Sequence, residues 1–196
     1  GDSQIVLDLC WALAELGHTV TLNAPEGTKP PPGVRLAVMP LSSRGKASPS
    51  TDDCELANIE SNRELISMQD VIHDASVNKR VAERRHAHGL PAISTIWGGH
   101  ALHPAPPRNV VACSHSQRAR LLKGLDDYMN EGGPSVDARV VHCGIDLDAY
   151  RPTGHGKQDF FLWLNRWHPV KGYRQAIELA KATGIHLLLA GESEEH

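Results

Sequence analysis

Short apolar runs alternate with amphipathic segments along most of the chain, and that alternation leaves few folds open. "HTVTLNA" (18–24), "VRLAVMP" (34–40), "DVIHDAS" (70–76) and "PAISTIWGGH" (91–100) read as strands of β-branched and apolar residues. So do the starts of "RNVVACSHSQRARLLKG" (108–124) and "ARVVHCGIDLDAYRP" (138–152), and then "QDFFLWLNR" (158–166) and "IHLLLAGE" (185–192). Helical spacing fills the gaps. Ile5, Val6, Leu9, Cys10, Leu13 and Leu16 form one stripe, and Gly17 is a natural stop. "VNKRVAERRHAHG" (77–89) reads as a basic helix with a solvated charged face, and "PVKGYRQAIELAKATG" (169–184) reads as a helix opening at Pro169. Strand, helix, strand in this order predicts an α/β fold: a parallel sheet with helices on both faces.

Two stretches break the rhythm. "LSSRGKASPSTD" (41–52) is a loop by composition. "RPTGHGKQ" (151–158) is polar and turn-rich, and it predicts a boundary between a domain at 1–152 and a smaller one at 153–196.

Composition matters mainly for what it excludes. The formal charge of the 196 residues is -3, from 20 Lys+Arg and 23 Asp+Glu, which gives no reason to expect nucleic acid as a partner. No apolar run reaches the ~18 residues that cross a bilayer, and no signal peptide opens the sequence. Cys10, Cys54, Cys113 and Cys143 form no CxxC pair and predict buried thiols in a reducing compartment, hence a cytoplasmic protein. The 12 histidines are dispersed, and no metal site is expected.

In parallel sheets ligands bind beyond the carboxyl ends of the strands. Four such ends carry polar or glycine residues: near His73, at 97–100, at 142–146 and at 165–172. His73 beside Asp74, and His100 after Gly98 and Gly99, are candidates for a general base or for holding a sugar hydroxyl; both also read as ordinary loop histidines. Arg166 follows a strand, and Lys171 falls in the predicted first turn of the next helix. A cation there opposes the helix dipole unless an anion shares the site. The pair therefore reads as a phosphate grip or as a solvated basic turn. Gly1, before the first helix, is a second candidate phosphate cradle. Trp97, Trp163 and Trp167 are candidates to stack on a sugar or base, with Trp163 better suited to the core.

Taken in order, these segments resemble the GT-B glycosyltransferases of the large retaining group called family 4. "GDSQIVLDLCWALAELGHTVTL" is similar to that family's glycine-led first helix, and "VVACSHSQRARLL" to its strand-Ser-helix segment. "VVHCGIDLDAYRP" resembles its Asn-Gly-Ile-Asp linker, and "FLWLNRWHPVKG" its Gly-Arg-x-x-x-x-Lys-Gly segment. The resemblance implies two Rossmann-like domains, with this chain holding the first and the start of the second. It also implies a nucleotide-diphosphate sugar as substrate, an acceptor hydroxyl, and no cofactor or metal. By position, Arg166 and Lys171 grip the donor diphosphate, Gly1 borders it, and a histidine near His100 lies by the reacting sugar.

The chain departs from that pattern at Trp97, which aligns where the family has its histidine, at Cys143 in place of asparagine, and at Asn165 in place of glycine. Asn tolerates left-handed backbone angles, which would preserve the turn. The family's first strand and its Glu-x7-Glu segment are also missing from the sequence. The expectation is a trimmed enzyme, one piece of a split enzyme, or a non-catalytic binding or assembly protein on the same fold. A sugar-nucleotide epimerase is a third reading. An incomplete second domain would leave apolar faces for a second copy or a complementary chain to cover.

Overall fold

The structure is a computed structural model that describes residues 2–40, 50–96, 108–133, 135–151, 154 and 156–192. The chain divides into two compact units, Gly1–Ala149 and Tyr150–His196.

Helix α1 (Asp2–Glu15) opens the first unit. Its Cys10 packs with Leu22, Ala24 and Val34 in a small core that Val6, Leu7 and Ala14 help to close. Leu16 breaks the expected stripe. It lies beyond the last helical turn and is 76% exposed, because the chain leaves α1 through Gly17 at φ 89°. Strands β1 (Val20–Pro25) and β2 (Val34–Met39) pair in parallel, Val20 opposite Val34.

Two helices follow where the sequence reading had no element. Helix α2 (Thr51–Ser61) starts inside the stretch expected to be a loop. Ser50 caps it: its Oγ accepts from Asp53 N at 3.1 Å and donates to Asp53 Oδ2 at 2.6 Å. Helix α3 (Arg63–Met68) continues after a break at Asn62. Asparagine amides tie this pair to the first sheet, since Asn62 donates to Asn58 and Asn58 donates to Asn23 on β1.

The main sheet has four parallel strands in chain order: β3 (Ile72–Asp74), β4 (Ala92–Ile96), β5 (Asn109–Ala112) and β6 (Asp137–Val140). Helix α4 (Arg80–Ala87) makes the crossover from β3 to β4, and α5 (His115–Asn130) the one from β5 to β6. Ile96, Val110 and Ala138 form the core beneath α5, with Leu121 and Leu122 packed on them. These parallel sheets flanked by helices are the expected α/β, Rossmann-like arrangement.

The basic helix presents only part of the expected solvated face: Arg84 is exposed, but Lys79 and Arg85 are buried. Arg85 is 2% exposed, and its guanidinium donates only to main-chain carbonyls. Nη1 reaches Ile66 O at 2.9 Å, Nη2 reaches Gln69 O at 2.8 Å, and Nε reaches Pro91 O at 3.2 Å. The end of α3 leaves carbonyls without helix partners, and Pro91 O, before β4, accepts besides only from Ile72 N at 3.3 Å among the described residues. A five-donor fork satisfies several of them at once. Arg80 is spoken for as well: Nε meets Asp52 Oδ1 at 2.7 Å and Nη1 meets Glu83 Oε2 at 3.1 Å.

In the second unit, β7 (Phe161–Leu164) and β8 (Leu187–Ala190) pair in parallel across α6 (Tyr173–Thr183). Phe161 is 63% and Leu164 68% exposed, and Leu162 is exposed too. This strand therefore leaves apolar surface exposed. All four cysteines are free. Cys10 and Cys54 are buried as expected, but Cys113 is half-buried and Cys143 exposed, because β6 ends at Val140 and residues 141–146 run on outside regular structure.

Candidate functional site

Two groups of polar residues stand at the carboxyl ends of parallel strands, one in each unit. Gly1, Trp97 and His100 lie outside the described residues.

In the first unit, His73 sits on β3 and shares a hydrogen bond between its Nε2 and Thr95 Oγ1 on β4. The next residue, Asp74, is buried and turns the chain: Oδ1 accepts from Ser76 N at 2.9 Å and Oδ2 from Ala82 N at 2.9 Å. Glu55 reaches over from α2 and accepts from Asn78 N at 2.8 Å and Arg80 N at 3.2 Å. Two carboxylates thus satisfy the first free N–H groups of α4, where the helix dipole favours negative charge. Between them lies Lys79, buried, with Nζ donating to Ser76 O. Its φ of 60° makes it the one non-glycine residue in left-handed geometry among the described residues.

Burial holds the Lys79 ammonium below the usual lysine range, while Asp74 and Glu55 pull the other way. His73 is partly exposed, yet its proton affinity is lowered, first by desolvation and then by the Lys79 cation; Asp74 opposes both. The predicted histidine is therefore a neutral-leaning imidazole with a strand neighbour. Lys79, whose charge bears on it, and Glu55, which bears on Lys79, were not read as site residues. The signal for Lys79 was a charged "NKR" at the mouth of a short helix, which also fits an ordinary surface turn.

In the second unit the chain runs from β7 through Arg166 and Lys171 into α6. Asn165 N donates to Ala190 O at 3.1 Å and Trp167 N to Glu192 O at 3.0 Å, so pairing with the β8 strand continues past both strand ends. Asn165 is not left-handed, since that geometry belongs only to Lys79 among described non-glycine residues. Its Oδ1 accepts from Arg166 N at 3.3 Å instead. Gly191 explains why the approach is so close: a Cβ there would lie 1.7 Å from Asn165 O.

Lys171 does not sit in the first turn of α6. Pro169–Lys171 form a separate 3-10 turn, and Gly172 at φ 73° breaks it from the helix. His168 caps this turn, its Nδ1 accepting from Val170 N at 3.3 Å. Lys171 N then closes onto His168 O at 2.8 Å. The lysine thus stands just ahead of the helix start, and both it and Arg166 are exposed. Two cations flanking a tight turn before a helix N-terminus suit an anion with several oxygens. Among the described residues, no group of three or more His, Cys, Asp or Glu side chains is placed to hold a metal ion. None of the described helices is long and apolar enough to cross a membrane.

The architecture places the chain in the class of glycosyltransferase folds. It is similar to the crystal structure of AviGT4, described as a glycosyltransferase involved in avilamycin A biosynthesis, with a TM-score of 0.58 and 27% sequence identity. The similarity covers 97% of this chain but 48% of that one, so the chain spans about half the length of that enzyme. No family model and no curated protein sequence matches it.

Proposed function

We propose that the chain is part of a retaining, family 4-type glycosyltransferase that moves a sugar from a nucleotide-diphosphate donor to an acceptor hydroxyl. In that reaction the bond between the sugar's anomeric carbon and the phosphate oxygen breaks, and the nucleoside diphosphate leaves with the electron pair. The acceptor oxygen bonds to the same carbon and gives up its proton. Negative charge grows on the departing diphosphate. Arg166 and Lys171 stabilise that charge more than they stabilise the ground state, which lowers the barrier. Their positive charge meets the need that a divalent metal serves elsewhere.

The observation that carries the reading is the placement of Arg166 and Lys171 around a capped turn at the end of β7, in a chain 27% identical to a glycosyltransferase. In this reading His73 and His100 stand on the acceptor side, Gly1 borders the donor phosphates, and four free thiols fit a cytoplasmic setting. The exposed apolar residues of β7 favour one addition: the second unit is completed by a second copy or a complementary chain. Light scattering that shows a monomer in solution would count against the second copy.

The test is calorimetry with UDP, GDP and ADP, each beside its nucleoside, together with the time course of nucleoside diphosphate release from donor sugars. Arg166→Ala and Lys171→Ala should each weaken diphosphate binding by about 1.5–3 kcal/mol, roughly 10- to 150-fold, and leave nucleoside binding unchanged. Equal losses for both ligands would point to misfolding. Diphosphate binding without turnover would favour a non-catalytic binding protein on the same fold.

A further inference from the structure

The second unit carries an aromatic group that the diphosphate reading does not use. Trp163 on β7, Trp167 in the turn and Tyr173 at the start of α6 touch one another, with ring centroids 5.2 Å, 5.5 Å and 6.2 Å apart. The two indole N–H groups both donate to main-chain carbonyls. Trp163 Nε1 donates to Lys171 O at 3.1 Å, and Trp167 Nε1 donates to Gly191 O at 3.2 Å. Arg174 lies against the outer face of this group, its guanidinium carbon 5.6 Å from the Tyr173 ring centre.

We infer that Trp163 and Trp167 are positioning residues for the diphosphate grip, each locking one side of the turn that bears Arg166 and Lys171. The inference rests on the diphosphate reading above. A lysine is a point charge on a flexible stem, so it selects a phosphate well only if its backbone is held. The turn from Asn165 to Gly172 has little regular structure beyond three residues of 3-10 helix. Trp163 supplies the missing anchor by tying the carbonyl of Lys171 to the strand. Trp167 follows Arg166 directly. Its main-chain N–H and its indole N–H together bind the Gly191–Glu192 backbone, so the arginine's position is set from β8. An added Cβ at Gly191 would clash with Asn165 O, one residue before Arg166. Tryptophan does what phenylalanine cannot: it fills the same apolar space and also donates a hydrogen bond from its edge.

The experiment compares wild type with Trp163→Phe, Trp167→Phe and Arg166→Ala, using UDP, GDP and ADP and their nucleosides as probes. Each Phe variant keeps a ring in the cluster and removes one donor. Each should weaken nucleoside diphosphate binding about 3- to 10-fold, the worth of one hydrogen bond. Nucleoside affinity should not move, which separates positioning from a general loss of structure. Diphosphate, but not nucleoside, should also change the tryptophan fluorescence of wild type, and that change should shrink in Trp167→Phe. If both Phe variants bind diphosphate like wild type while Arg166→Ala does not, the indole role is overturned and the diphosphate site stands. If wild type binds no diphosphate, or Arg166→Ala binds it as tightly as wild type, the diphosphate reading falls and takes this inference with it. Should Trp163→Phe fail to fold, Trp167→Phe carries the test alone.

Discussion

Arg85→Met should cost the first unit much of its stability. The substitution keeps the bulk of the stem and removes a guanidinium that is 2% exposed. Two half-buried carbonyls it serves at good distance, Ile66 O and Gln69 O, would lose that donor, and Pro91 O would keep the Ile72 N–H at 3.3 Å. At about 1–1.5 kcal/mol for each of the two abandoned acceptors, the loss comes to about 2–3 kcal/mol. A domain of this size has about 5–15 kcal/mol in all. Relief of the buried charge offsets part of the loss, so the lower end of the range is the firmer expectation. The assay is urea unfolding followed by circular dichroism, with hydrogen exchange on α4 and β4 to place the damage. Arg84→Met is the control, because Arg84 is exposed on the same helix and should change stability by less than about 0.5 kcal/mol. If Arg85→Met costs no more than Arg84→Met, the carbonyl-satisfying role is wrong.

Other outcomes can be stated more briefly. Gly191→Ala should destabilise the second unit by about 3 kcal/mol and speed exchange of the Asn165 amide, since its Cβ would meet Asn165 O at 1.7 Å; unchanged exchange would refute the close approach. The folded state holds the His73 proton less tightly than the unfolded chain does, so below about pH 6.5 the unfolded state binds more protons and stability falls as pH drops. His73→Gln should therefore show a smaller loss of melting temperature on acidification than wild type, and an equal loss would argue against the desolvated imidazole. Mass spectrometry after brief alkylation of the native protein should find Cys143 modified, and Cys10 and Cys54 modified only on unfolding.

How much was legible in the sequence varies with the range of the forces involved. Strands β1 through β8 could be read because each is a short apolar run between turn residues, and the alternation with helices set a parallel arrangement. Arg166 and Lys171 were visible for a similar reason, since spacing along one turn is a local property. Helices α2 and α3 were missed. Their sequence has little apolar periodicity, and their stability comes from contacts that no window of neighbours contains: the Asn58–Asn23 bond, the Glu55 cap on α4 and the fork of Arg85.

By itself, then, the sequence determined the order and type of the strands, the direction in which they pair, and the cations at the end of β7. Only the tertiary structure decided which charges are buried. Arg85 and Lys79 look like surface residues in "NKRVAERR", and they became interior ones because distant carbonyls and carboxylates needed partners away from water. Only folding, too, set Gly191 against Asn165 and turned the indole edges of Trp163 and Trp167 onto the carbonyls of Lys171 and Gly191. Hydrophobic patterning acts between neighbours and can be read along a chain. Satisfaction of polar groups is a property of whatever else arrives, and that is known only once the chain has closed on itself.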